Sequence, residues 1–359
     1  MSASTSGSTA ADAQSAGPQP TPAAGTMPKG FGIRLGILIV LIILPMIIIV
    51  LTPLKHEAYL YFLGTMPAML SRSLHIGVGV LAVFANALVV PVAILSSQSV
   101  MSGTLLMILL AVIIALSSVR GWNGPLMYVG VIAGLLVTSN PPHVDISGAS
   151  ESIQLWYPAL LALFGGLWGL LLSRTLMKGM PVKSAAHVGG RDAFAFGVAL
   201  AILLGFSTAV AMTWFFNTHA GWVLLTILLV VKADYSTTTQ RVWHRSLGTI
   251  AGGLAAALLA VLVHNPLILQ LAGAVFGFAM LWVVLTGKPY YVMSAVITPT
   301  IVLINSSGNS TSVFDTDLER VAYTLVAGVL ILLVIGAGQL ISVAVARREK
   351  LPDAPIATE

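Results

Sequence analysis

Cysteine is absent from the 359 residues, so disulfides, thiolate metal sites and thiol nucleophiles are excluded at the outset. Charge is nearly as scarce: 8% of residues are Asp, Glu, Lys or Arg, against about 25% in an ordinary soluble chain. With 57% hydrophobic residues and a mean hydropathy of +0.96, the chain has too little polar surface to cover a water-soluble globule. It reads as an integral membrane protein. The net charge of +5 then bears on sidedness, not on nucleic-acid binding.

The motifs of nucleotide and metal chemistry are missing as well. Val182 precedes Lys183-Ser184 and Pro289 follows Gly287-Lys288, so neither stretch is a phosphate-binding loop. His-Glu-x-x-His and clusters of His, Asp and Glu at ligand spacing are lacking, and neither metal nor cofactor is expected. Gly205-Phe206-Ser207 has no identifiable His partner, and the chain is not read as an enzyme.

What is present is a succession of apolar runs. Residues 1–30, rich in Ser, Ala, Thr, Pro and Gly, predict a disordered N-terminal tail. So long a polar stretch ahead of the first apolar run argues for a retained first span over a cleaved signal. Apolar segments follow near 34–53, 58–70, 74–96, 102–118, 124–140 and 155–174. A second series lies near 192–216, 221–233, 246–263, 267–286, 289–305 and 321–345. Most approach the roughly 20 residues a helix needs to cross the hydrocarbon core; 58–70 and 221–233 are short spans, re-entrant segments or halves of broken helices.

The expected fold is all-α and polytopic, with about twelve (10–12) transmembrane helices in two parallel repeats. The divisions are a first membrane repeat 31–175, a cytoplasmic basic linker 176–190, a second repeat 191–346 and a cytoplasmic tail 347–359. With a cytoplasmic N-terminus, only Lys55 and Arg320 of the 17 Lys and Arg fall on the outer side, as the positive-inside rule demands. The outer connections then hold Glu57, Asp145, Glu151, Asp315, Asp317 and Glu319. Both termini are expected in the cytoplasm and the chain in a bacterial inner membrane.

The repeat rests on Arg72-Ser73-Leu74 recurring as Arg245-Ser246-Leu247, and on Gly79-Val80-Leu81-Ala82 aligning with Gly252-Gly253-Leu254-Ala255 at the same offset of 173. Tyr128 and Asn140 match the region of Tyr291 and Asn305. An even number of spans per half makes such repeats parallel, about an axis along the membrane normal.

The densest polar cluster runs Thr218-His219-Ala220-Gly221-Trp222, then an apolar stretch, then Lys232-Ala233-Asp234-Tyr235 and a Thr-rich segment to Gln240-Arg241-Val242-Trp243-His244-Arg245-Ser246-Leu247-Gly248-Thr249. Arg241, His244 and Arg245 are spaced three and four apart, within about one helical turn of each other. A guanidinium offers a carboxylate a two-bond fork, so Arg245 or Arg241 is a plausible anchor for an organic anion; the other reading is an interfacial charge bound to lipid phosphate. Asp234 stands ready to pair with Lys232 or Arg245, and Asp234, His244 and His219 are candidates to carry coupling protons. Gly248 and Gly252, four apart, make a small-residue face for close helix packing. Trp222 and Trp243 read as interfacial anchors; Tyr290-Tyr291 as anchors or ligand contacts. Thr298-Pro299-Thr300 is expected to break the run 289–305 and expose carbonyls, as transporters do where substrate binds.

Residues 219–257, with a Trp-containing helix, Lys232-Ala233-Asp234-Tyr235, the Thr/Arg-rich stretch and Arg245-Ser246-Leu247-Gly248-Thr249, resemble the fusaric acid resistance (FUSC) and aromatic acid exporter proteins. The resemblance implies an inner-membrane secondary transporter that exports aromatic or other organic acids, driven by the proton gradient. It also implies a periplasmic membrane-fusion adaptor and an outer-membrane channel as partners; a homo-oligomer is a further possibility. The substrate-binding residues would be Arg245, Arg241, Lys232, Tyr291 and Thr298, with Asp234 and His244 coupling protons. The first half departs from the pattern, with His75 where the second has Gly248 and no visible counterpart of Lys232 or Asp234. Two other readings stay open: a passive organic-anion channel, and a non-transporting subunit that scaffolds an adaptor through the loop 306–319.

Overall fold

The computed structural model describes residues 30–52, 54, 58–140, 150–178, 187–286, 288–304 and 310–349. The tail 1–29, Lys55 and Glu57, the connection holding Asp145, the linker from 179 to 186, residues 305–309 and the tail from 350 lie outside them. Among the described residues every regular element is helical. The order is α1 (Phe31–Val50), α2 (Ala58–Leu70), α3 (Ile76–Ser96), α4 (Val100–Ser118), α5 (Asn123–Val137), α6 (Glu151–Thr175), α7 (Gly190–Trp214), α8 (Gly221–Val230), α9 (Tyr235–Leu262), α10 (Pro266–Leu285), α11 (Tyr290–Ile304) and α12 (Ser310–Glu349). A single 3-10 turn, Ser71–Ser73, links α2 to α3.

Among the described residues eight helices, α1, α3, α4, α6, α7, α9, α10 and α12, are long and apolar enough to cross a membrane. Their outward faces are apolar too: Leu105, Leu109 and Leu116 on α4, Phe194, Ile202 and Phe206 on α7, and Leu254, Leu258 and Val261 on α9 are all exposed. Water would not tolerate such continuous stripes, whereas lipid does.

The helices pack closely wherever small residues face a neighbour. Gly103 of α4 abuts Met212 of α7, and Gly197 abuts Ala115, so these two helices run antiparallel. Gly130 and Gly134 of α5 lie against Leu228 and Leu224 of α8, again antiparallel. A Cβ on Gly64 of α2 would meet the Ala162 carbonyl of α6, and one on Gly165 would meet that of Tyr61. Within the first six helices α6 packs on α2 and α3, and α5 on α3 and α4; within the second six α12 packs on α8 and α9, and α11 on α9 and α10.

Three expectations change. First, α9 starts at Tyr235, eleven residues before the apolar segment, so the basic cluster is its first half. Second, α12 starts at Ser310; Asp317, Glu319 and Arg320 belong to it and not to a connecting loop, and the described part of the expected 306–319 loop is helix from Ser310. Third, α11 continues unbroken through Pro299. Proline leaves the carbonyl four residues back without its helical N–H, here Ala295. That oxygen faces α9 at Gly252, where any Cβ would collide with it, and a backbone carbonyl so placed gains a weak Cα–H contact.

Candidate functional site

The site grows from the non-helical link Val231–Asp234 between α8 and α9. Thr238, fully buried in the first turn of α9, accepts from the Lys232 N–H (2.9 Å) and donates toward the carbonyls of Lys232 (3.0 Å) and Asp234 (2.9 Å). The link is therefore stitched to the helix it precedes. Asp234 is the N-cap: its carboxylate accepts from the Thr237 N–H (2.7 Å) and the Ser236 hydroxyl (2.7 Å). Hydrogen bonds from Thr237 and then Ser236 hold its carboxyl down at about 2, and it pairs with neither Lys232 nor Arg245. The Lys232 ammonium donates to Met127 Sδ of α5 (3.3 Å), and burial followed by the nearby Arg241 lowers it to about 7.

Arg241 sends Nη1 to the Leu229 carbonyl (3.2 Å) in the last turn of α8, one of the carbonyls a helix end leaves unpaired. Its guanidinium lies 5.0 Å above the ring of Tyr290. One turn on, His244 meets the half-exposed Tyr291 edge-on, ring centroids 5.4 Å apart. Thr298 is fully buried and donates to the Ser294 carbonyl of its own helix (3.1 Å). Gly248 and Gly252 face α11: a Cβ on Gly248 would stand 2.6 Å from Ser294 Cβ and 2.8 Å from the Tyr291 carbonyl.

Arg245 differs from all of these. It is 2% exposed, and its Nε and Nη1 have no hydrogen-bond partner. A second guanidinium, Arg320 of α12, is equally buried at 2% and likewise has Nε and Nη1 unpartnered. The two lie close enough to repel one another, and Arg320 also feels Asp317, one turn before it, without a direct ion pair. Asp317 is 7% exposed, with Oδ1 unpartnered and its carboxylate against Gly253 of α9.

The meeting follows from helix direction. Gly253 touches Asp317 while Val242 touches Gly328, so α9 and α12 are antiparallel. By the same contacts Arg245 stands level with Leu325 and Arg320 with Ile250, so the two long side chains approach from about 7–8 Å apart along the helix axes. Aromatic groups close the site: Arg320 sits 4.5 Å over the Trp222 ring of α8, and the buried Tyr290 hydroxyl lacks a partner. Tyr128 of α5 is within electrostatic reach of both Arg245 and Tyr290.

At the end of the bundle where α7 turns into α8, His219 Nδ1 and Glu319 Oε2 pair at 2.6 Å, and Thr218 and Tyr323 hydroxyls meet at 3.3 Å. Asn217 adopts a φ of 60° in this turn, a left-handed conformation Asn tolerates, and its N–H donates to the Thr138 carbonyl (3.1 Å). His219 in turn meets Trp222 at a tilt of 41°, centroids 5.1 Å apart. An apolar groove lined by Leu88, Val92, Leu110, Ile113 and Val129 opens elsewhere, between α3, α4 and α5.

Of the residues singled out from sequence, Arg245 alone has charge that is both buried and unpartnered. Arg241, Lys232, Asp234, His244, Tyr291 and Thr298 surround the α8–α9–α11 junction but are each engaged as described. Arg320 and Asp317 were missed as site residues, because their charges marked a loop; their i, i+3 spacing inside an otherwise helical pattern was the available signal.

The profile of the family described as fusaric acid resistance protein-like matches residues 198–334, from within α7 to within α12. That is less than half of the chain, and it contains Arg241, Arg245, Asp317 and Arg320. No curated protein and no solved structure matches the chain. A polytopic helical membrane architecture and a domain of this likeness are together consistent with a membrane transporter.

Proposed function

We propose that the chain is a bacterial inner-membrane secondary transporter that exports organic, most simply aromatic carboxylic, acids at the expense of the proton gradient. The observation that carries this is Arg245: a guanidinium buried midway along an apolar helix, with donors unmet, inside the family-matched stretch. Burying a cation in hydrocarbon surroundings costs at least several kcal/mol unless something answers its charge, and such residues mark ion and substrate paths. A carboxylate accepts through two oxygens with about four lone-pair sites and would satisfy those donors.

In this reading all twelve helices cross, as two repeats of six, with both termini cytoplasmic. Supporting it, α7 and α9 begin at 190 and 235, each 159 residues after α1 at 31 and α3 at 76. The packing of α6 on α2 and α3 and of α5 on α3 and α4 recurs as α12 on α8 and α9 and α11 on α9 and α10, although α2–α5 has no counterpart among the described residues. At that offset, instead of 173, His75 takes the place of Asp234, and each caps the helix that follows it. Arg72, Arg120, Arg174, Arg191, Lys232 and Lys288 then all flank helix ends on the cytoplasmic side.

The test is reconstitution in liposomes with a panel of aromatic acids under an imposed pH gradient. Uphill movement that is lost in Arg245→Ala and not restored by Arg245→Lys, which lacks the fork, is the expected result. Flux that is only downhill and follows voltage would make the protein an anion channel instead.

A further inference from the structure

We infer that Arg320 completes the anion site begun by Arg245, and that Asp317 sets its charge selectivity, so that the site takes a singly charged carboxylate and discriminates against dianions. The inference rests on the proposed anion-anchoring part of Arg245 and extends it to two residues of another helix.

The argument is one of charge and of unmet donors. Arg245 and Arg320 bring two positive charges into one buried region, and Asp317 brings one negative charge. The group is left with an excess of one positive charge, two mutually repelling guanidiniums and no contact ion pair. Four guanidinium nitrogens, Nε and Nη1 of each arginine, and the Tyr290 hydroxyl are buried without acceptors. Unmet donors that deep inside a membrane protein are costly, and several of them converging suggests a missing acceptor.

The neighbouring cations keep their charge but turn their donors to other groups. Arg241 is held by the Leu229 carbonyl and the Tyr290 ring, and Lys232 by Met127. The indole of Trp222 covers one side of Arg320.

A monocarboxylate supplies one negative charge and two acceptor oxygens with about four lone-pair sites, which balances the charge of these three residues and answers a donor from each unmet nitrogen. A dicarboxylate would carry a surplus charge beside the Asp317 carboxylate, whose fixed position against Gly253 gives it little room to withdraw. Removing the Asp317 charge raises the excess from one to two, and the preference should then pass to dianions.

The experiment is equilibrium binding to the purified full-length protein in detergent, near neutral pH where the ligands are fully ionised. A monocarboxylate set (benzoate, salicylate, 4-hydroxybenzoate) is compared with phthalate and isophthalate. The wild type is expected to bind a monocarboxylate at least about tenfold more tightly than either dicarboxylate. Asp317→Asn is expected to reverse that order, and Arg320→Gln to abolish monocarboxylate binding while Arg320→Lys restores only part of it.

Wild-type protein that binds no monocarboxylate, or binds the dicarboxylates as well, overturns the inference before any variant is made. Monocarboxylate binding that survives Arg320→Gln in a protein eluting as a single folded species also overturns it. Because binding is read without flux, selective binding in a protein that moves nothing in liposomes would uphold the site and refute the transporter reading. Transport with normal Arg245 dependence but indifferent to Arg320 and Asp317 would do the reverse.

Discussion

Replacing Gly252 by Ala tests the α9–α11 contact on which Arg245 is mounted. The new Cβ would meet the Ala295 carbonyl oxygen, Pro299 Cδ at 2.9 Å and Thr298 Cβ at 2.9 Å. Carbon atoms in contact prefer about 3.5–4.0 Å, so the helices must part by roughly 0.6–1 Å. Overpacking of this kind costs about 1–3 kcal/mol, offset in part by the 0.5–1 kcal/mol or so that Ala gains over Gly in a helix. Separation also strains the bond from the Ser294 hydroxyl to the Arg245 carbonyl (3.0 Å), worth about 1 kcal/mol if lost. A net loss of about 1–3 kcal/mol is expected, read as a lower thermal midpoint in detergent together with weaker carboxylate binding. Pro299→Ala should relieve part of it, because it removes Cδ and gives the Ala295 carbonyl a helical partner; a coupling of about 1 kcal/mol between the two substitutions is expected. Gly336→Ala in α12, where a Cβ meets nothing within 4 Å, is the matched control and should gain the 0.5–1 kcal/mol or so of the helix term alone. A Gly252→Ala protein as stable as that control, with no coupling to Pro299, would refute the packing argument.

Asp234→Asn should retain the fold and any transport, since an amide oxygen still caps α9, whereas Asp234→Ala should lower the thermal midpoint; loss of flux in the Asn variant alone would return Asp234 to proton coupling. Because its folded carboxyl is held near 2, below its ordinary value, the charged cap's contribution is fully present above that ordinary value and fades as pH falls through about 2. Lys232 gives a slope of the same sign from the opposite cause: its ammonium is disfavoured in the folded protein, so thermal stability should rise as pH climbs from about 7 toward the ordinary lysine range. Lys232→Met should remove that slope in a pH series of melting curves, and an unchanged slope would count against it.

How far the chain could be read beforehand depended on what each residue was taken to mean. Apolar run length located most helices within a few residues, including the short α2 and α8, because a hydrocarbon core sets the length of what crosses it. Charge, by contrast, does not mark the helix ends here. Arg241, His244 and Arg245 were recognised as sharing a helix, yet α9 was begun after them, at 246. Asp317 and Arg320 were assigned to an outer loop for the same reason, although α12 carries both inward. The tripeptide match between Arg72-Ser73-Leu74 and Arg245-Ser246-Leu247 suggests an offset of 173, but Arg72 lies in a 3-10 turn and Arg245 in mid-helix. Pro299 was expected to break α11, and the compensation came from another helix altogether, through the missing side chain of Gly252. None of these depends on local propensity; each is decided by which neighbour a helix meets.

The length of α12 has a mechanical consequence. Its 40 residues form a rod about 60 Å long, well beyond the roughly 40–45 Å of a whole bilayer. Arg320 lies a quarter of the way along it, and Glu319 beside it is clasped to the α7–α8 turn through His219. A rod clasped near one end, packed on α8 and α9 as far as Ile331 and exposed toward its other end is a lever: a small tilt about the clasp sweeps the far end through several times the distance moved at Arg320. Motion too slight to disturb the packing around the arginines would arrive at the opposite membrane face as a stroke of several ångströms.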